Sequence, residues 1–182
     1  FRFQQRLINL DLSDNALFKL DQNLFSNLLQ LENLNLSLNL IKSFDAKLIL
    51  KSTKFLNSLD LSYNKLENFN TSELNLLRLT SLNLSNNFLL KRIQIENLIR
   101  LNSLSLNHNP KLEPYHSINN LRFLREIFLI NTSLRLIKSI NNDLLRRIVQ
   151  LDLSFNNLTG LNNMDFYFGQ ANRVVNMLNL RR

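Results

Sequence analysis

In LINLDLSDNAL, residues 7–17, apolar side chains hold the first, fourth, sixth and eleventh places and Asn the ninth. The same spacing returns at 31–41 (LENLNLSLNLI), 56–66 (LNSLDLSYNKL), 79–89 (LTSLNLSNNFL), 101–112 (LNSLSLNHNPKL, one residue longer), 124–134 (LREIFLINTSL) and 148–158 (IVQLDLSFNNL). An eighth copy opens at Val175 with Leu178 and Leu180 and stops before its Asn place. Successive copies start 24, 25, 23, 22, 23, 24 and 27 residues apart. Apolar residues two apart put alternate side chains on opposite faces, so each LxL predicts a short strand with one face buried. One copy cannot bury that face alone. Stacked copies can, which predicts a single array over residues 1–182, seven full repeats plus the partial eighth.

The ninth place forms a ladder of Asn15, Asn39, Asn64, Asn87, Asn109 and Asn156, with Thr132 in the sixth copy. An amide carries both donor and acceptor, so this ladder is expected to satisfy backbone groups where the chain leaves each strand. Its expected role is structural rather than ligand-binding.

These residues resemble the leucine-rich repeat family over the whole chain. The resemblance implies an α/β solenoid, curved, with a parallel β-sheet on the concave face and an irregular or short helical convex side. Leu20, Phe25 and Leu28 in the first copy resemble the roughly 24-residue extracellular class, that of Toll-like receptor ectodomains and small leucine-rich proteoglycans. The fourth copy, 22 residues long with Ile93, Ile95 and Leu98 irregularly spaced, is more similar to the short intracellular class. The family's extracellular arrays end in Cys-bearing caps. With no Cys, no initial Met and a start at Phe1-Arg2-Phe3, the chain reads as a piece of something longer.

Composition narrows the chemistry. Leu fills 45 and Asn 31 of the 182 positions, a bias toward repetition rather than a mixed core. The absence of Cys removes a thiolate metal site and a cysteine nucleophile from this span. His108 has no carboxylate in the neighbouring outward positions, His116 sits in a return segment after Pro114 and Tyr115, and neither has a second ligand at a recognised spacing, so neither catalysis nor a metal is expected. With two Gly there is no phosphate loop. No cofactor and no small-molecule substrate are implied, and no apolar run is long enough to span a membrane.

The concave face is the family's usual binding surface. Counted as outward there are the strand residues and those just after them, including Ser62, Ser85 and Ser154; these positions carry six acids and one base. That leaves about +13 for the rest of a +8 chain. Among short polar neighbours stand Leu38, Tyr63, His108, Phe128, Ile130 and Phe155. Exposed aromatic anchors dominate protein interfaces, and Phe128, Ile130 and Phe155 in adjacent copies predict one apolar patch for a protein partner. Drift of the sixth repeat explains the same residues without a partner.

A basic column precedes the strands. Arg6, Arg78, Arg100 and Arg147 stand directly before their copies, and Lys54, Arg122, Arg146 and Arg173 two residues before. At strand spacing they line one edge for about 35 Å, which suits an anionic polymer, nucleic acid or sulfated glycan, held in a salt-dependent way. The plainer reading has the cationic stems covering a wet edge of the core. N-glycosylation sequons lie at Asn35, Asn70, Asn83, Asn131 and Asn157. The first expectation is therefore a ligand-recognition segment of an extracellular or cell-surface protein with a protein partner. An anionic-polymer binder and an intracellular scaffold remain the alternatives.

Overall fold

The computed structural model describes residues 1, 3–72, 76–112, 118, 121–135, 142–159 and 178–179. Ten short strands are described: β1 (Asn9–Asp11), β2 (Asn33–Asn35), β3 (Ser58–Asp60), β4 (Asn68–Asn70), β5 (Ser81–Asn83), β6 (Arg92–Gln94), β7 (Ser103–Ser105), β8 (Glu126–Phe128), β9 (Gln150–Asp152) and β10 (Leu178–Asn179). Eight of them form one parallel sheet in the order β1-β2-β3-β5-β7-β8-β9-β10, each on the LxL of one copy. Register keeps like with like: Leu10, Leu34, Leu59, Leu82, Leu104, Ile127 and Leu151 form a continuous row of partners.

That row is buried from Leu34 to Leu151, as are the leading residues (Leu31 through Ile148) and those two beyond the row (Leu36 through Leu153). Each buried Leu contributes roughly 1.5–3 kcal/mol through removal of apolar surface from water. Leu7, Leu10, Leu12 and Leu17 are partly buried and pack against this core. The chain approaches each strand through a tight turn closed by bonds such as Leu31 N–H to Leu28 O, Leu56 to Thr53, Leu79 to Leu76, Leu101 to Leu98 and Leu124 to Leu121, 3.0–3.2 Å.

The Asn ladder does what its chemistry predicts. Asn64 Nδ2 donates to Leu36 O of the previous repeat at 2.9 Å and to Leu61 O of its own at 3.1 Å, while its Oδ1 accepts from Ile41 N–H at 2.9 Å. Asn39, Asn87, Asn109 and Asn156 repeat this bridge between carbonyls of adjacent repeats. Thr132, with a single hydroxyl donor, bonds Leu129 O within its own repeat.

On the convex side α1 (Ala46–Ile49) and α2 (Asn142–Leu145) are single turns. The irregular fourth copy has a different cause from the one its length suggests. Ile93 and Ile95 alternate because β6 is itself a strand, paired with β4 in a second sheet that buries Phe69 and Ile93. The hydroxyl of Thr71 locks this pair, donating to Glu96 O at 2.9 Å and accepting from Glu96 N–H at 3.0 Å.

Candidate functional site

Five main-sheet strands, β1, β2, β3, β5 and β9, end in a side-chain-capped turn that decides what faces outward. Asp11 Oδ1 accepts from the N–H and hydroxyl of Ser13 at 2.8 and 2.6 Å; Asn35 does the same for Ser37, and Asp60 for Ser62. Asn83 and Asp152 hold the N–H of Ser85 and Ser154. This motif folds the serines under the rim, so Ser62, Ser85 and Ser154 are buried rather than outward as the alternation implied.

The residue after each serine position is left-handed: Asp14, Leu38, Tyr63, Asn86, His108, Asn131 and Phe155 all have φ between 53° and 59°. The ladder requires it, because each of these N–H groups up to Asn131 bonds a carbonyl of the next repeat, as in Leu38 to Ser62 O at 3.0 Å and Tyr63 to Ser85 O at 2.9 Å. Their side chains leave the sheet at its trailing edge. Leu38, Tyr63, His108 and Phe155 therefore belong to that edge and not to the flat face.

The six expected patch residues fall into groups. Leu38 and Tyr63 are exposed neighbours in the second and third repeats. Phe155 is exposed at the far end of the same column. Phe128 is half-buried on β8, between Ser105 and Asp152 in register, and Ile130 is half-buried with its N–H bonded to Asn107 Oδ1. His108 Nδ1 lies 3.2 Å from the Asn131 amide nitrogen, so an amide and not a carboxylate orients this imidazole. His116 lies outside the described residues.

The basic residues gather on the opposite, leading edge. Arg6, Lys54, Arg78, Arg100 and Arg122 are exposed in the tight turns before their strands. Arg78 holds its guanidinium 4.4 Å from the centre of the Phe55 ring, a cation–π contact that fixes its direction. Arg147 is half-buried with Nε donating to Asp143 O at 2.9 Å, and Arg146 makes a 3.9 Å exposed ion pair with Asp143, of the kind that contributes little. Arg173 lies outside the described residues.

Of the sequons, Asn70 and Asn157 are exposed. The Asn83 amide donates to Asp60 Oδ2 at 3.0 Å, the Asn131 amide abuts His108, and Asn35 holds its serine. Two hollows that the repeat pattern does not announce lie away from the main sheet. One of about 400 Å³ is lined by Phe44, Asp45, Asn70 and Thr71, another of about 580 Å³ by Phe18, Lys19, Lys42 and Leu48. Among the described residues, no helix is long and apolar enough to cross a membrane.

The capped turns also set a pH response. The Ser13 hydroxyl, then the Ser13 N–H and the Asn35 amide, hold the Asp11 carboxyl below its ordinary value of 3.8 by bonding the charged form. A depressed carboxylate adds stability above its unfolded value and loses it as pH falls through the folded one. Asp11→Asn keeps the acceptor, as Asn35 shows, and removes the proton. The variant is expected to flatten the stability curve of the first repeat below about pH 4, measured by amide exchange of residues 9–15. An unchanged acid limb would show that the cap carries no charge-dependent stability.

No family model and no curated protein matches the chain. Solved structures do. Toll from Drosophila, in its glycosylated complex with Spatzle, is 25% identical with a TM-score of 0.81 over 96% of this chain and 25% of that one. TLR13 in complex with ssRNA13 is 26% identical with a TM-score of 0.61, over 90% of this chain and 28% of that one. An internalin from Listeria monocytogenes, 19% identical with a TM-score of 0.70 over 91% and 46%, shares the fold. This chain therefore spans less than half of any of the three. Parallel strands, stacked Leu rows and an Asn ladder define a leucine-rich repeat solenoid. The chain is a leucine-rich repeat protein, and its solved neighbours are receptor and binding proteins.

Proposed function

We propose that the chain is a recognition segment of a secreted or cell-surface receptor-like protein, which binds a protein ligand along the trailing edge and outward face of its main sheet, without turnover. One observation carries this reading. The left-handed position admits Asn and Asp most readily, and Asp14, Asn86 and Asn131 occupy it in three repeats. In three others stand Leu38, Tyr63 and Phe155, bulky, exposed and unsuited to it. Each costs roughly 1–2 kcal/mol of backbone strain and places apolar surface in water. Strain kept at an exposed aromatic is the mark of a site selected for contact rather than for stability. The solved neighbours support a ligand-recognition role: Toll is complexed with Spatzle, and mouse RP105 with MD-1.

The test exchanges stability for binding. Tyr63→Asn and Phe155→Asn are expected each to raise the melting temperature by about 3 °C. Both are expected to weaken, by about tenfold or more, the member of a panel of extracellular proteins and microbial surface polymers that the parent binds. Higher stability with unchanged binding would remove the trailing edge from the site.

Exposure makes a second expectation for the secretory pathway. Glycopeptide mass spectrometry of protein secreted from animal cells should find glycans at Asn70 and Asn157 and not at Asn83 or Asn131, whose amide nitrogens are engaged. Occupancy at Asn83 would contradict this, and failure of the chain to enter the pathway would favour the intracellular scaffold. A second reading, an anionic ligand on the leading edge, rests on the exposure of Lys54, Arg78, Arg100 and Arg122 in consecutive turns.

A further inference from the structure

The leading edge is more than a row of cations. Its tight turns place two residues each at their tips, and in five consecutive repeats one of the two is apolar: Leu29, Phe55, Leu77, Ile99 and Phe123. Phe55 is partly covered by Arg78. The other four are 46–57% exposed. Lys54, Arg78, Arg100 and Arg122 share four of these turns. At strand spacing the row runs for about 20 Å. A single exposed Leu needs no explanation; a file of them interleaved with cations on protruding turns does.

The mixture decides the partner. A sulfated glycan would use the cations and leave the aliphatic tips in water. Single-stranded nucleic acid needs aromatic faces for its bases, and the row has two rings, one of them already stacked on by Arg78. A partner helix would need a groove, whereas turn tips make a ridge, and neither described hollow is lined by any of these residues. A ridge with aliphatic tips and flanking cations fits a flat anionic surface whose interior accepts hydrocarbon. There the tips dip to the headgroup boundary while Lys and Arg reach phosphate and carboxylate.

We propose that the leading edge is a docking ridge for an anionic lipid surface, with Leu77, Ile99 and Phe123 as the inserted tips and Lys54, Arg78, Arg100 and Arg122 as the headgroup contacts. The proposal rests on the reading of this edge as an anion-binding surface and gives that surface its ligand class. It is independent of the trailing-edge anchors.

The chain has no Trp, so one introduced indole reports its own surroundings. The experiment mixes Ile99→Trp or Phe123→Trp protein with phosphatidylcholine vesicles containing about 30% phosphatidylserine, and with pure phosphatidylcholine, at about 150 mM salt. Phe18→Trp, away from the ridge and 73% exposed, is the control. Emission is expected to shift to the blue for the ridge indoles with the anionic vesicles alone, and to stay unshifted for Phe18→Trp. Arg78→Glu, Arg100→Glu and Arg122→Glu together should lower partition by at least ~100-fold, about fivefold for each charge. Leu77→Ser, Ile99→Ser and Phe123→Ser together should abolish vesicle binding and leave Arg-dependent heparin binding intact. Serine variants that bind vesicles as the parent does would overturn insertion, as would a shift confined to Phe18→Trp. Arg-dependent binding of heparin or single-stranded RNA without vesicle binding would overturn the lipid proposal and leave the anionic edge standing. No binding to any of these anions would remove both.

Discussion

Asn87→Ala is expected to cost about 3 kcal/mol and to lower the melting temperature by about 10 °C, although Asn87 touches no proposed ligand contact. The residue is fully buried, and its Oδ1 is the acceptor for Leu66 N–H at 3.0 Å. Its Nδ2 bridges Leu61 O of the previous repeat and Leu84 O of its own, both at 3.0 Å. Alanine leaves the buried Leu66 N–H unpaired, which carries most of the loss. The two carbonyls keep other partners, Asn64 and Asn109. Asn15 is exposed and, among the described residues, bonds only Leu12 O and Ser13 O of its own repeat, where water replaces them, so Asn15→Ala is expected to cost under about 1 kcal/mol. Thermal melts of the two variants check the contrast; equal losses would mean that the ladder's value does not come from burial.

The second large effect is expected at Leu104. It sits on β7 between Leu82 and Ile127 in register and is fully buried. Leu104→Ala should cost about 3–4 kcal/mol from lost transfer energy and the cavity left behind. Because each repeat touches its neighbours alone, the loss falls on two interfaces and should divide the array into blocks that open separately. Amide exchange is expected to quicken on both sides of β7 while β2 and β3 stay protected. Leu10→Ala, at a half-covered position with one neighbouring strand, should cost about half as much and leave the rest unchanged. Uniformly faster exchange in Leu104→Ala would describe a single cooperative unit instead.

How much of this could be read from the residues follows from which interactions repeat. The Leu rows and Asn ladder were legible because period and chemistry agree in copy after copy, and each LxL became a strand. Two features were present but misread. Ile93 and Ile95 carry a strand's own alternation, hidden because β6 finds its partner β4 on the other side of the solenoid. Strict alternation faces the serines outward, yet an Asp or Asn two residues before each of Ser13, Ser37, Ser62, Ser85 and Ser154 is the signature of a capped turn. One feature lay beyond the sequence. Nothing in Leu38, Tyr63 or Phe155 as residue types announces a positive φ; only their shared position with Asp14, Asn86 and Asn131 hints at it. The ridge is half legible: the cations stand out as a column, while their apolar turn partners Phe55, Leu77, Ile99 and Phe123 are distinguished only by their exposure.

The central claim is that recognition belongs to the main sheet's outward face and trailing edge. It is tested most directly by hydrogen exchange of the complex with the panel member that the parent binds. Slower exchange is expected at residues 58–63, 126–131 and 150–155, around Tyr63, Phe128 and Phe155. Protection confined to the opposite side, at 18–22 and 43–48, with the strands unchanged, would contradict it.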